Sequence, residues 1–216
     1  IAEGGYRMHE GTFRDGKLIC SSVVGLADLR GQEIRVIPLQ GRYIPRRGDV
    51  VIGVVVDSHY SGWILDLNSP YAGNLFVSDL LRRKVDLARE DISQYLNIGD
   101  VVVAEVEDVD ERMRVRLTAD GPGMGKVKGE NLVETSPMKI PRVVGRKGSM
   151  LNTLQSVGEC RIRVGQNGRI MIWGKDQRMV NAVVEALLMI EREAHTSGLT
   201  DRVRQMLENV KSGGGI

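Results

Sequence analysis

Val143-Val144-Gly145-Arg146-Lys147-Gly148-Ser149-Met150-Leu151 sets a G-x-x-G turn with two adjacent cations between an apolar strip and the start of a second apolar pattern. Gly145 is expected to take a positive φ that ends a short preceding helix. Gly148 is expected to let backbone N–H groups approach a phosphodiester with no side chain between them. Ser149 fits a helix N-cap, and Met150, Leu151, Leu154 and Val157 follow at helical spacing, so a helix should begin at the turn with its positive dipole end toward the ligand. Arg146 and Lys147 supply full charges. The stretch predicts a clamp for a phosphate backbone.

In a chain with 26 glycines the spacing carries little alone, and the context sharpens it. Downstream come Arg161-Ile162-Arg163-Val164, the turn Gly165-Gln166-Asn167-Gly168 and the strand Arg169-Ile170-Met171-Ile172-Trp173. A helix with Met179, Val180, Val183, Val184, Leu187 and Leu188 on one face follows. The order helix, G-x-x-G, helix, strand, strand, helix resembles a KH domain, whose G-x-x-G loop clamps about four nucleotides of single-stranded backbone. Nine Lys or Arg stand between Pro137 and Arg178 (139, 142, 146, 147, 161, 163, 169, 175 and 178) against two acids, Glu159 and Asp176. That excess is more than a purely structural α/β module needs. Arg142, Gly145, Arg146, Lys147 and Gly148 are the RNA-binding candidates of this domain.

Residues 49–120 read as a five-stranded barrel of the OB type. Its strands are Asp49 to Asp57, Gly62-Trp63-Ile64-Leu65-Asp66-Leu67, Gly73-Asn74-Leu75-Phe76-Val77, Gly99 to Val106, and Arg112 to Thr118. The two Gly-Asp-Val-Val starts, the aromatic-x-Gly-aromatic turn, the Gly-Asn-Leu-Phe-Val-Ser-Asp-Leu segment and the Val-Asp-x-x-x-Arg ending resemble the S-one RNA-binding domain. That resemblance implies that Tyr60, Trp63 and Phe76 present rings on one barrel face, with Asp110 and Arg114 as the polar pair beside them. Phe76 stands where the family often has histidine, which keeps a stacking plane and removes a hydrogen bonder. Rings on such a face can stack on bases at ~1–3 kcal/mol each. Half-buried barrel packing is the competing reading, evenly balanced for Phe76 and second to stacking for Tyr60 and Trp63.

The chain has 216 residues, 42% hydrophobic and 27% charged, enough for one to three small domains. Net charge is only +2, but acidic and basic territory is segregated: from Asp86 to Glu111 nine acids face a single base, Arg89. No apolar run approaches the ~18 residues of a membrane span, which predicts a soluble, cytoplasmic protein with no membrane partner. Cys20 and Cys160 lack neighbours at ligand spacing and read as small buried hydrophobes, so neither a metal nor another cofactor is expected. His9, His59 and His195 do not fall at metal or triad spacing. The glycine-rich stretch at 120–126 fails as a phosphate-binding Walker loop, since Asp120 replaces its first glycine and Val127 its hydroxyl. Nothing in the sequence points to catalysis.

Residues 1–48 read as short strands with a tight turn at Asp15-Gly16, a small β unit that is either a structural appendage or a docking module. The expected architecture is multidomain, mainly β plus α/β: an N-terminal β unit at 1–48, an S-one-type OB barrel at 49–120, a linker at 121–136 and a KH domain at 137–216. This order, with Lys139-Ile140-Pro141-Arg142 running into the charged turn and the later Gly165-Gln166-Asn167-Gly168, resembles the S-one/KH cap subunits of the archaeal-type exosome. The resemblance implies a non-catalytic subunit, three to a hexameric ring of RNase PH-like subunits, capturing single-stranded RNA such as A-rich tails. The N-terminal unit would dock on the ring. The alternative is an S-one/KH transcription or translation factor that binds RNA without a nuclease partner.

Overall fold

The computed structural model describes residues 2–3, 5–9, 11–38, 41–81, 83, 91–128, 131–193, 196 and 198–213. Asp86, Arg89 and Glu90 of the acidic run, and His195, lie outside the described residues. The chain divides into two compact units, Ile1–Gly41 and Arg42–Ile216.

The first unit holds two three-stranded sheets. One has the order β1 (Ala2–Glu3), β4 (Leu18–Ser21), β3 (Thr12–Asp15); the other has β2 (Arg7–Met8), β6 (Glu33–Pro38), β5 (Gly25–Arg30). Ile19, Ile34 and Val36 are buried, whereas Phe13, Leu18, Val24 and Leu29 are exposed. Cys20 is half-buried here, not the core residue expected; Cys160 is buried, and burial pushes its thiol pKa up.

The second unit begins with the barrel. β7 (Val50–His59) pairs with β8 (Gly62–Asp66) and β10 (Val101–Val109), β8 with β9 (Gly73–Phe76), and β9 in parallel with β11 (Val115–Thr118). A short helix α1 (Val77–Leu81) follows β9. β10 closes the barrel by changing partners along its length: Val101–Glu105 lie beside β7, and Glu105–Val109 beside β11. Register shifts near Val56 and Glu107 bend the two longest strands, which closure requires. Inside sit Val51, Val55, Leu65, Leu67, Leu75, Val102, Val106 and Leu117. Tyr43 belongs to this core and donates its hydroxyl to Asp49 at 2.6 Å, so the barrel starts at residue 42, ahead of the expected 49.

The expected linker is not a linker. β12 (Gly125–Val127) extends the barrel sheet along β10, and β13 (Asn131–Glu134) joins the next sheet, of order β13, β15 (Arg169–Gly174), β14 (Cys160–Val164). Helices α2 (Ile140–Val144), α3 (Ser149–Gly158), α4 (Gln177–Arg192) and α5 (Leu199–Lys211) contribute, with Ile162, Ile170 and Ile172, to a core that includes Val143, Leu154, Val183 and Leu207. The other face of this sheet lies on the barrel: Met171 packs with Ile52 and Val103. β7 and β10 are therefore apolar on both faces, because both faces are covered. Barrel and KH-like region both lie within the compact unit Arg42–Ile216, joined by this junction.

Polar groups lock that junction. Asn167 is fully buried: its Oδ1 accepts from the Ile52 N–H at 3.2 Å, and its Nδ2 donates to the carbonyls of Ile52 at 2.8 Å and Leu67 at 3.0 Å. Beside it the buried Arg169 reaches Glu134 at 2.8 Å, the Asp66 carbonyl at 2.7 Å and the Asp66 carboxylate.

Candidate nucleic-acid interface

α2 ends where Gly145 takes φ 76° and donates its N–H to the Pro141 carbonyl at 2.9 Å. A Cβ at Gly145 would stand 2.7 Å from the Met150 amide nitrogen, so both backbone conformation and space demand glycine. Gly148 is at φ 80°, where an added Cβ would meet the Asn152 Nδ2 at 4.0 Å, and it is the residue that caps α3. Ser149, expected as the cap, is instead the first helical residue, and no side chain caps this end. Lys147 sits between the glycines at φ 52°, a left-handed conformation that costs an ordinary residue about 1 kcal/mol. Arg146 and Lys147 are exposed, and their side chains have no hydrogen-bond or ion-pair partner among the described residues. Arg142, also exposed, is anchored: its Nη2 donates to the Thr196 carbonyl at 2.7 Å.

On the barrel, Gly62 lies between His59 and Phe76 in one cross-strand row. With no side chain at Gly62, the rings of His59 and Phe76 meet edge to face at 6.0 Å between centroids. Arg116 places its guanidinium carbon 5.6 Å from the centre of the Phe76 ring and bonds Asp79 at 3.1 Å and Glu107 at 2.8 Å. Phe76 is half-buried, and Tyr60, in the turn after β7, is 73% exposed. Asp110 and Arg114 pair at 2.6 Å on the turn before β11; the Arg114 backbone N–H and then its guanidinium hold the Asp110 carboxyl below the usual range.

Trp63 must be removed from this face. It is fully buried in the barrel core and donates its Nε1 proton to the Leu96 carbonyl at 3.1 Å, so no base can reach the ring. The structure adds His59 and Arg116, which sequence reasoning missed. The signal for Arg116 was available: it alternates with the inward Val115 and Leu117, which places it on the outer side of β11. No hydrogen bond, ion pair or ring contact joins the barrel set to the G-x-x-G turn among the described residues. The chain thus displays two separate candidate sites. Nor is there a group of His, Cys, Asp or Glu fit to hold a metal ion among those residues, and no helix among them is long and apolar enough to cross a membrane.

A closed barrel with a ring and two arginines on its face, joined to a KH-like domain with a cationic G-x-x-G turn, defines the S-one/KH class, both of whose modules serve RNA recognition. The family model described as "RRP4, S1 domain" matches residues 42–108. The chain belongs to the Rrp4 family of exosome complex components: it is 44% identical over 209 residues to exosome complex component Rrp4 of Pyrococcus horikoshii, covering 96% of this chain and 79% of that protein. Rrp4 of Methanothermus fervidus is also 44% identical, over 96% of this chain and 91% of its own length. A crystal structure of a candidate exosome complex RNA-binding protein superposes with a TM-score of 0.75 at 40% identity, covering 80% of this chain and 98% of that one.

Proposed function

We propose that the chain is a non-catalytic RNA-binding cap subunit of an exosome. It captures single-stranded RNA, A-rich tails included, and feeds the 3′ end into a hexameric ring of RNase PH-like subunits that carries three such caps. The observation that carries this reading is the pair of exposed cations, Arg146 and Lys147, displayed between two glycines at positive φ at the start of α3 in a chain of the Rrp4 family. A turn of that shape suits phosphates, and the Phe76–Arg116 face suits bases. The exosome relatives count against the transcription or translation factor.

The exposed Phe13, Leu18, Val24 and Leu29 support residues 1–41 as the part that docks on the ring. A chain beginning at Arg42 keeps Tyr43 in the barrel core, and we expect it to bind single-stranded RNA yet fail to co-elute with ring subunits in gel filtration. Co-elution would move the docking surface to the second unit. In the same experiment the full chain alone, given RNA, phosphate and magnesium, should release no nucleoside diphosphate.

A further inference from the structure

At the end of α3 opposite the G-x-x-G turn, about 15 Å away along ten residues of helix, the surface hollows where KH-like sheet and barrel meet. A furrow of about 560 Å³ lined by Glu159, Arg161, Trp173, Lys175 and Asp176 runs into a second hollow of about 260 Å³ lined by Lys126, Lys128, Arg163 and again Arg161 and Trp173. The carboxylates along it are engaged: Glu159 pairs with Lys211 at 2.5 Å, and Asp176 caps α4 by accepting from the Arg178 N–H at 2.8 Å. Of the cations, Lys126 is neutralised, by Asp100 at 2.6 Å. The side chains of Lys128, Arg163 and Lys175 have no hydrogen-bond or ion-pair partner among the described residues.

The furrow also contains a plane. Trp173 is half-buried and fixed by its Nε1 donating to the Lys128 carbonyl at 2.6 Å, and the exposed Arg161 lies with its guanidinium carbon 5.6 Å from the ring centre. A guanidinium held against an indole keeps its charge and offers its outer side for stacking. An acidic peptide would need the cations alone. Cations flanking a stacking plane match a strand that alternates phosphates with flat bases.

We propose that this furrow is a second contact for single-stranded RNA, with Lys128, Arg163 and Lys175 on phosphates and Arg161, backed by Trp173, on a base. The proposal rests on the reading of the chain as a single-strand RNA binder and adds a site apart from both the turn and the barrel face.

The test is a salt titration of binding, by fluorescence anisotropy, between the full chain and a labelled oligouridylate long enough to span turn and furrow. Combining Lys128→Ala, Arg163→Ala and Lys175→Ala removes three phosphate contacts and should flatten the log–log salt slope by about 2. None of the three side chains has a hydrogen-bond or ion-pair partner to lose among the described residues. Arg161→Lys keeps the charge and loses the plane, so affinity should fall about 5-fold or more with the slope unchanged. An unchanged slope in the triple variant, with wild type still binding, overturns the furrow and leaves the proposed function standing. A wild-type chain that fails to bind the oligouridylate overturns both. Polyglutamate binding that depends on the three cations, while RNA binding does not, overturns the proposal in favour of an acidic protein partner.

Discussion

Two turns of the second unit share a spelling and differ in what they do with their middle residues. Gly145-Arg146-Lys147-Gly148 and Gly165-Gln166-Asn167-Gly168 both read G-x-x-G, and both end on a left-handed glycine, at φ 80° and 84°. The first displays its middle residues to solvent with no partner among the described residues. The second drives Asn167 to zero exposure, where its amide accepts one hydrogen bond from Ile52 and donates two, to the carbonyls of Ile52 and Leu67. Glycine spacing alone therefore does not set the use of a turn. The middle residues decide: two long cations cannot be buried unpaired, while one short amide can satisfy three backbone groups that burial would otherwise leave empty.

The same division between displayed and buried separates the barrel's aromatic rings, and that is where the largest effect should appear. Trp63→Ala removes a fully buried indole and should cost ~3–5 kcal/mol of stability by denaturant unfolding. Tyr60→Ala, at a side chain 73% exposed, should leave the unfolding midpoint nearly unchanged. Equal midpoints for the two variants would erase the distinction.

Next in size is Asn167→Ala, which strands buried N–H and C=O groups of Ile52 and Leu67 at about 1–3 kcal/mol for a group left unsatisfied. Because Asn167 joins barrel to KH-like sheet, hydrogen exchange at β7 and β15 should rise together. A loss confined to the hairpin between β14 and β15 would show that the turn serves only its own strands.

Much of this was readable from residues. The barrel strands announce themselves through apolar runs bounded by glycine, and the α3 helix through Met150, Leu151, Leu154 and Val157. The misplacement of Trp63 was avoidable: it shares strand parity with Leu65 and Leu67, all three inward, while Phe76 alternates outward between Leu75 and Val77. Likewise the runs at 51–56 and 101–104 are apolar at consecutive positions, which marks a sheet covered on both sides and so a packed junction. The α5 stripe of Leu199, Val203, Leu207 and Val210 also stood in the sequence unread. Other features had no local signal. β12 and β13 span three and four residues, too short for a period to register, and the pairing of Arg169 with Asp66 and Glu134 depends on tertiary placement alone.

The central claim is that the exposed G-x-x-G turn grips the phosphate backbone of a single RNA strand. Its most direct test is the salt dependence of RNA binding by the full chain carrying Arg146→Asp and Lys147→Asp. Losing two phosphate contacts should flatten the log–log slope by about 1.4, at ~0.7 per contact, with the unfolding midpoint unmoved. A slope equal to that of the unmodified chain would mean that the turn is a helix connection and no clamp.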